Sequence, residues 1–593
     1  MFAAVFQYCL VAFLVLSLGH AIVRKKADGW SAYVVAWLTP FAPIFNLKAI
    51  LPGDYTGHAA HTAMAAYQIS IGTPLPSSAN TLQIIGDPTL ALAGWAYYLT
   101  GGYLTLLYDP AFATRMLLIG SAGAYTVASC ALARRLFLNP WMRLAFVIAS
   151  TWSIYAMNNL YVRGAETEFV ATALILAAFC ILPLWSVERD SRKRFVLSGA
   201  IALCYGFAAL THPITAVYSA IALALFALGL FVLLGIRSRI FVDAVGVAVC
   251  ILAMLSPWLY NVVADPPGDF AIARTFSLHR YPQMDNAIMR LIPFPISTMS
   301  ADPIFFTPMN TGLLMFAAWL LRRHPFDTLR RLISFVVLSV AFLAFFVISV
   351  SPVLDTWLPT AIKAGQYGYR SVTYLNLFAV ALIVALTFKR PVDSRPGTVV
   401  VLVFAVTIAA MAVMISHGWQ RNHYEIGDWW TAGFKRLETP SRYPELHRRA
   451  GTNAPLRFDY SSGCTFATVP EVIEGCPTEG FAQVSPLTLR GDLPATDGLV
   501  TNVLVRPWNK LSFSSPGATA DYYFGFYRVK SPTPVTVSYR YEPPFTFLVL
   551  QVMSVVFLTL GAALITISAA QRTRGVRRLG HVVTAGVRRR FGA

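Results

Sequence analysis

Charge is what this sequence has least of. Charged residues make up 13% of its 593 positions, whereas a soluble domain carries roughly a quarter. An ordinary water-soluble globule is excluded on that ground. Acidic residues are the scarcer sign, 28 Asp and Glu against 47 Lys and Arg, for a net charge of +19. There is no phosphate-cradling GxxxxGK[ST] loop, no GxSxG elbow and no HExxH pair, so P-loop nucleotide hydrolysis, α/β-hydrolase chemistry and zincin proteolysis all lack their residues. No half of the chain repeats the other, which argues against an inverted-repeat carrier. Cysteine is sparse too, with seven residues and no zinc-site spacing.

What is present is apolar length. Hydrophobic residues reach 56% and the mean hydropathy is +0.58. The blocks 195–210, 214–234, 335–350, 399–415 and 545–569 carry no charge. Crossing a ~30 Å hydrocarbon core takes about 20 such residues. The expected fold is therefore a polytopic α-helical membrane protein. The excess positive charge sorts between the blocks, at Arg24-Lys25-Lys26, Arg134-Arg135, Arg192-Lys193-Arg194, Arg322-Arg323, Arg330-Arg331 and Lys389-Arg390. Short Lys/Arg-rich loops stay cytoplasmic, so this charge reads as topology and not as a nucleic-acid surface. Applying the rule along the chain gives about 13 spans in a bacterial inner membrane. The first runs inward over 5–23, with a cleaved signal peptide as the competing reading. The loops around Asp54, 161–168, 265–302, 351–370 and 417–543 all fall on the periplasmic face.

The expected organisation is a transmembrane core over 1–416, with outer loops at 51–110 and 263–305. A periplasmic α/β-rich module follows over 417–543, then a last transmembrane helix over 544–570 and a basic cytoplasmic tail over 571–593. Within the module, the Val-, Tyr- and Phe-rich stretches 499–505, 521–529 and 535–541 read as strands. Ser461-Ser462-Gly463, Arg490-Gly491-Asp492 and Ser515-Pro516-Gly517 read as turns. Its two cysteines, Cys464 and Cys476, would form a disulfide in an oxidising periplasm. The tail spaces Val576, Leu579, Val583 and Val587 among arginines, a pattern suited to anionic membrane lipid.

Ionisable residues near span ends on one face are functional candidates, and four outer segments hold them. A helix starting after Asp54 would put Asp54, His58 and His61 at i, i+4 and i+7 on one face. That set suits a general base for a hydroxyl or a divalent metal; an N-cap beside two interfacial histidines is the plainer alternative. Arg163, Glu166 and Glu168 lie together in the second segment and would either orient a sugar or form a surface ion pair. Lys363, Gln366 and Arg370 precede an almost uncharged span; there Arg370 would clamp a phosphate or snorkel to lipid headgroups. His212, in Thr211-His212-Pro213, would sit at a helix break and serve a structural role or the site.

In order and spacing, four stretches resemble a known group: Gly53-Asp54 with His58, Tyr161-x-Arg163-Gly164-Ala165-x-x-Glu168, Leu210-Thr211-His212-Pro213 and Gln366-Tyr367-Gly368-Tyr369-Arg370. The group is the bacterial integral-membrane family related to 6-pyruvoyl-tetrahydropterin synthase, whose members look like GT-C glycosyltransferases. The resemblance implies a GT-C fold, a polyprenyl-phosphate-linked sugar donor, a glycan or lipid acceptor, and Asp54 as the acidic catalytic residue, acting as base. The usual pattern has two neighbouring acids in that loop. Here Asp54 stands alone, with Asp87 further along, and this leaves a divalent cation (Mg or Mn) on Asp54 as an open expectation. A non-catalytic transporter or assembly factor for lipid-linked oligosaccharide is the alternative function.

Overall fold

The structure is a computed structural model. It describes residues 2–24, 27–45, 55–70, 72–77, 90, 94–107, 110–152, 160, 164–235, 238–264, 308–324, 326–350, 372–388, 391–393, 481–485, 488–493, 495–504, 508–523 and 526–567. Among them, seven helices are long and apolar enough to cross a membrane: Phe112–Leu136, Glu166–Val187, Ser191–Thr211, Pro213–Leu234, Ile240–Ala264, Leu329–Val347 and Phe545–Ile567. Tyr8–Arg24, Trp30–Phe45 and Tyr374–Thr387 are shorter apolar helices. The expected span at 399–415 lies outside the described residues, so the seven long helices stand beside an expectation of about 13.

Proline placement explains several local shapes. The second apolar block is helical over Trp30–Leu38 and tightens to a 3₁₀ turn over Thr39–Phe45, where Pro40 and Pro43 fall. The Ser191–Thr211 and Pro213–Leu234 helices break at His212, with Pro213 opening the second. Pro257, inside Ser238–Ala264, cannot donate to the carbonyl of Ala253, and the Ser256 hydroxyl donates there instead at 2.8 Å.

Burial ranks the helices. The Glu166–Val187 segment is the central pillar, 78% buried, whereas Phe545–Ile567 is 11% buried and turns most of its apolar surface outward. The pillar packs against the Pro110–Leu136, Ser191–Thr211 and Pro213–Leu234 helices. The described residues of the 51–110 loop include the helices Tyr55–Ser70 and Trp95–Leu107, which cross closely because Gly101 and Gly102 lie at the contact. A Cβ on Gly102 would stand 3.0 Å from the Ile69 side chain and 3.1 Å from the Ala66 backbone nitrogen.

The polar links between segments sort by face. On the basic face, Arg143 pairs with Asp28 at 3.0 Å and Arg194 with Asp243. The Leu138 N–H donates to the Val392 carbonyl at 2.9 Å and the Val392 N–H to the Leu136 carbonyl at 3.0 Å, a parallel bridge of Phe137 with Val392. Arg331 donates to the carbonyls of Leu386 (2.7 Å) and Phe388 (3.1 Å). At the other end, the Ser77 hydroxyl meets the Tyr541 hydroxyl at 3.1 Å and Trp508 stacks on Tyr260. Each of these links joins two segments that charge sorting expects on the same face.

The C-terminal strands form two antiparallel sheets. One has the order β1-β2-β7-β4 and the other β3-β6-β5, where β1 is Phe481–Ser485, β2 Thr488–Leu493, β3 Thr496–Leu504, β4 Asn509–Phe513, β5 Thr519–Tyr523, β6 Phe526–Ser531 and β7 Val535–Tyr541. Inward residues alternate along β7, where Val535, Val537, Tyr539 and Tyr541 are buried. Two sequence expectations change here. The stretch 521–529 is not one strand but the β5–β6 hairpin, and Arg490-Gly491-Asp492 is no turn, since it pairs with Ser538, Val537 and Thr536 inside the ladder. Trp508, Tyr539, Tyr541 and Phe547 close a small core against Tyr260, which seats these strands on the helical body.

Candidate functional site

The site is built around Glu166. Gly164 holds the left-handed backbone (φ 68) that a glycine adopts without strain. This turn directs the chain into a helix whose first residues, Glu166 and Glu168, are both buried, at 0% and 1% exposure. Acidic side chains in a first turn are favoured by the helix dipole. A buried carboxyl group also needs partners, and the neighbouring helices supply them. The Tyr97 hydroxyl donates to Glu166 Oε2 at 2.5 Å. Thr114 lies 3.5 Å from the same oxygen and 3.4 Å from the Tyr97 hydroxyl. The Arg115 guanidinium attracts the carboxyl group electrostatically, while its own Nε donates to the Ile44 carbonyl at 2.6 Å. Glu166 Oε1 has no hydrogen-bond partner among the described residues.

The next tyrosine joins this carboxyl group to the histidines. His58 Nδ1 and the Tyr98 hydroxyl share a 2.8 Å hydrogen bond, and the His61 ring lies 5.3 Å from that of Tyr98. Tyr97 and Tyr98 meet edge to face at 5.5 Å. One helix turn of tyrosines therefore connects the Tyr55–Ser70 helix with the start of Glu166–Val187.

A second polar group lies where the two proline-separated helices meet. His212 is buried; its Nδ1 accepts from the Thr215 backbone N–H at 3.3 Å and lies 2.6 Å from the Thr215 hydroxyl, closing the helix start. Tyr374 donates to the Thr215 carbonyl at 2.5 Å. The Val372–Thr387 helix packs on both Pro213–Leu234 and Glu166–Val187, so the pillar adjoins both groups.

Of the candidates read from sequence, His58, His61, Glu166, Glu168 and His212 are described. Asp54, Arg163, Lys363, Gln366, Arg370, Cys464 and Cys476 lie outside the described residues. Glu166 is not half of a surface ion pair, because it is sequestered with Tyr97. Among the described residues, no group of three or more His, Cys, Asp or Glu is placed to hold a metal ion, so the Mg or Mn expectation rests on Asp54. Sequence reading missed Tyr97, Tyr98, Thr114 and Arg115. For Arg115 the signal was available: it is the only charge in the apolar run 110–133, the kind of intramembrane residue that marks a site.

No family model and no curated protein matches the chain. Among solved structures it is similar to ArnT from Cupriavidus metallidurans in the apo state. The likeness covers 64% of this chain and 78% of that one, at 12% identity and a TM-score of 0.31. Neither donor, acceptor nor reaction follows at that level.

Proposed function

We propose that this chain is a GT-C-type glycosyltransferase of the bacterial inner membrane, moving a sugar from a polyprenyl-phosphate donor to a cell-envelope glycan, lipid or protein on the periplasmic face. The observation that carries the reading is the buried Glu166–Tyr97 bond, whose Oε1 has no hydrogen-bond partner among the described residues, linked through Tyr98 to His58. A carboxyl group held at a helix start, with phenol and imidazole alongside, is a polar group preorganised within an apolar body. It suits the binding of sugar hydroxyls.

In this mechanism the acceptor hydroxyl oxygen attacks the anomeric carbon from the face opposite the phosphate. The new glycosidic bond forms as the carbon–oxygen bond to phosphate breaks, the leaving polyprenyl phosphate keeps the electron pair, and configuration inverts. Asp54 takes the hydroxyl proton. Arg370 and Lys363, with Gln366, hold the phosphate, where arginine's fork matches two oxygens. Arg163, Glu166 and Glu168 shape the sugar subsite, while His58, His61 and His212 border it. The strand module presents the acceptor. A divalent cation on Asp54 would add charge neutralisation.

The test is transfer from a synthetic polyprenyl-phosphate sugar, together with envelope glycan composition, for Asp54→Asn and Glu166→Gln at equal protein levels. Losing a general base costs about 10²–10⁴-fold in rate. Unchanged transfer and unchanged glycans in Asp54→Asn would sink the proposal.

A further inference from the structure

Away from the Glu166 group, the strand module carries an exposed basic face beside the start of the last helix. Val535, Val537, Tyr539 and Tyr541 are the inward residues of β7, so Arg540 stands on the opposite face. Its side chain is 69% exposed. Lys510 of β4 is its direct cross-strand partner and is exposed too. Like charges directly opposite one another destabilise a sheet. Glu542 lies 3.4 Å from Arg540, but one exposed carboxylate does not answer two cations. The basic pair of the other sheet differs, because Arg528 and Lys530 both reach Asp521, at 2.7 and 2.9 Å. Among the described residues, no acidic group lies within ion-pair distance of Lys510. The Lys510–Arg540 rung therefore keeps an excess of positive charge.

The fold sets the height of that rung. The Glu542 N–H donates to the Trp508 carbonyl at 2.8 Å, which extends the β4–β7 ladder to Trp508. The Trp508 ring lies 4.8 Å from that of Phe547, the third residue of the last span. Trp508 and Tyr541 are thus aromatics of the kind that sits at headgroup level. Lys510 follows Trp508 by two residues, about 7 Å of strand. The headgroup layer is itself roughly 5–8 Å deep on each side of the hydrocarbon. Direction agrees with height. The buried face of β7 meets Tyr260 of the helical body, so the Lys510–Arg540 face looks the other way. The last helix is only 11% buried and its first residue, Phe545, is 79% exposed, so that side of the module borders lipid. The next pair on the same face is Ser512 with Ser538. An arginine fork, a lysine point charge and neighbouring hydroxyls together match a phosphodiester.

We propose that the Lys510–Arg540 face docks on the phosphates of anionic phospholipid in the adjoining leaflet and holds the strand module against the bilayer. The proposal rests on the contact between the strands and the last helix and stands independently of whether the chain transfers sugars.

The experiment uses the full chain with Cys9, Cys464 and Cys476 replaced by serine and a fluorophore attached at Ser512→Cys. The chain is placed in phosphatidylcholine nanodiscs that include a lipid with a headgroup nitroxide. Exchanging part of the phosphatidylcholine for phosphatidylglycerol is expected to raise quenching about twofold, and about 0.5 M salt to abolish the rise. A fluorophore at Thr533→Cys, before the far end of β7, should show no rise. Lys510→Gln combined with Arg540→Gln should lose it at the Ser512 label. Glu542→Gln, which releases Arg540 from its carboxylate, should enlarge it. Lys510→Gln alone relieves the like-charge pair; it should fold as the parent does and lose about half of the rise. Equal quenching with and without phosphatidylglycerol, an equal rise at both labels, or a full rise retained in the double variant overturns the proposal. Quenching that responds to a soluble acidic glycan but not to phosphatidylglycerol overturns it too, and assigns the face to a glycan.

Discussion

Tyr97 touches the candidate site through a single oxygen, which makes it a sharp residue to alter. Tyr97→Phe keeps the ring and removes the donor that satisfies Glu166 Oε2. The expected loss is about 1–3 kcal/mol of stability, read as a lowered unfolding midpoint. The loss should be much smaller in a Glu166→Leu background, because the two groups are coupled. A second residue-scale case lies in the strand module. Hydrogen bonds from Arg528 and then Lys530 hold the Asp521 carboxyl group well below the usual carboxylate range. A depressed native value means the contribution is present above the unfolded value of about 3.9 and is lost as pH falls below it. Asp521→Asn should flatten module stability across that acid window, followed by circular dichroism against pH. Residue identities were only partly legible in the sequence. Glu166 and His58 announce themselves as ionisable groups near span ends, but their partners Tyr97 and Tyr98 are two aromatic residues among 26 tyrosines. Nothing local in the sequence says which tyrosine crosses to a helix 69 residues away.

Among the elements, the crossing of Tyr55–Ser70 over Trp95–Leu107 sets the distance between histidines and carboxyl group. Gly102→Leu would press a side chain onto Ile69, Ala65 and the Ala66 backbone and force the helices apart, at about 1–3 kcal/mol. The expected signature is loss of the His58–Tyr98 contact and a fall in transfer exceeding the fall in stability. Gly120→Ala, whose Cβ would meet nothing within 4 Å, serves as the control with neither effect. Helix positions were readable from apolar length, and breaks such as the one at His212 from proline. The strands at 535–541 were readable from Val/Tyr richness and alternation. The β5–β6 hairpin was not, because Phe524-Gly525 sits within an unbroken aromatic run and carries little turn signal.

For the whole molecule, the links between loops agree with the charge pattern of the sequence. The links Asp28–Arg143 and Arg194–Asp243 stay on the basic face, and Ser77–Tyr541 stays on the opposite one. With Cys464 and Cys476 replaced by serine, Thr533→Cys should react with a membrane-impermeant maleimide once the outer membrane is opened. Arg189→Cys should react only after the inner membrane is opened as well. The reverse pattern would invert the topology.

The sparse burial of the last helix has a consequence of a different kind. Its 23 residues make about 34 Å of apolar rod, longer than a ~30 Å hydrocarbon core. A rod so exposed to lipid accommodates a thin bilayer by tilting. Its outer end carries Phe547, which is packed with Trp508 and Tyr541. Bilayer thickness thereby becomes a mechanical input to the strand module, and acyl-chain length is a variable to which that module's seating on the helices should respond.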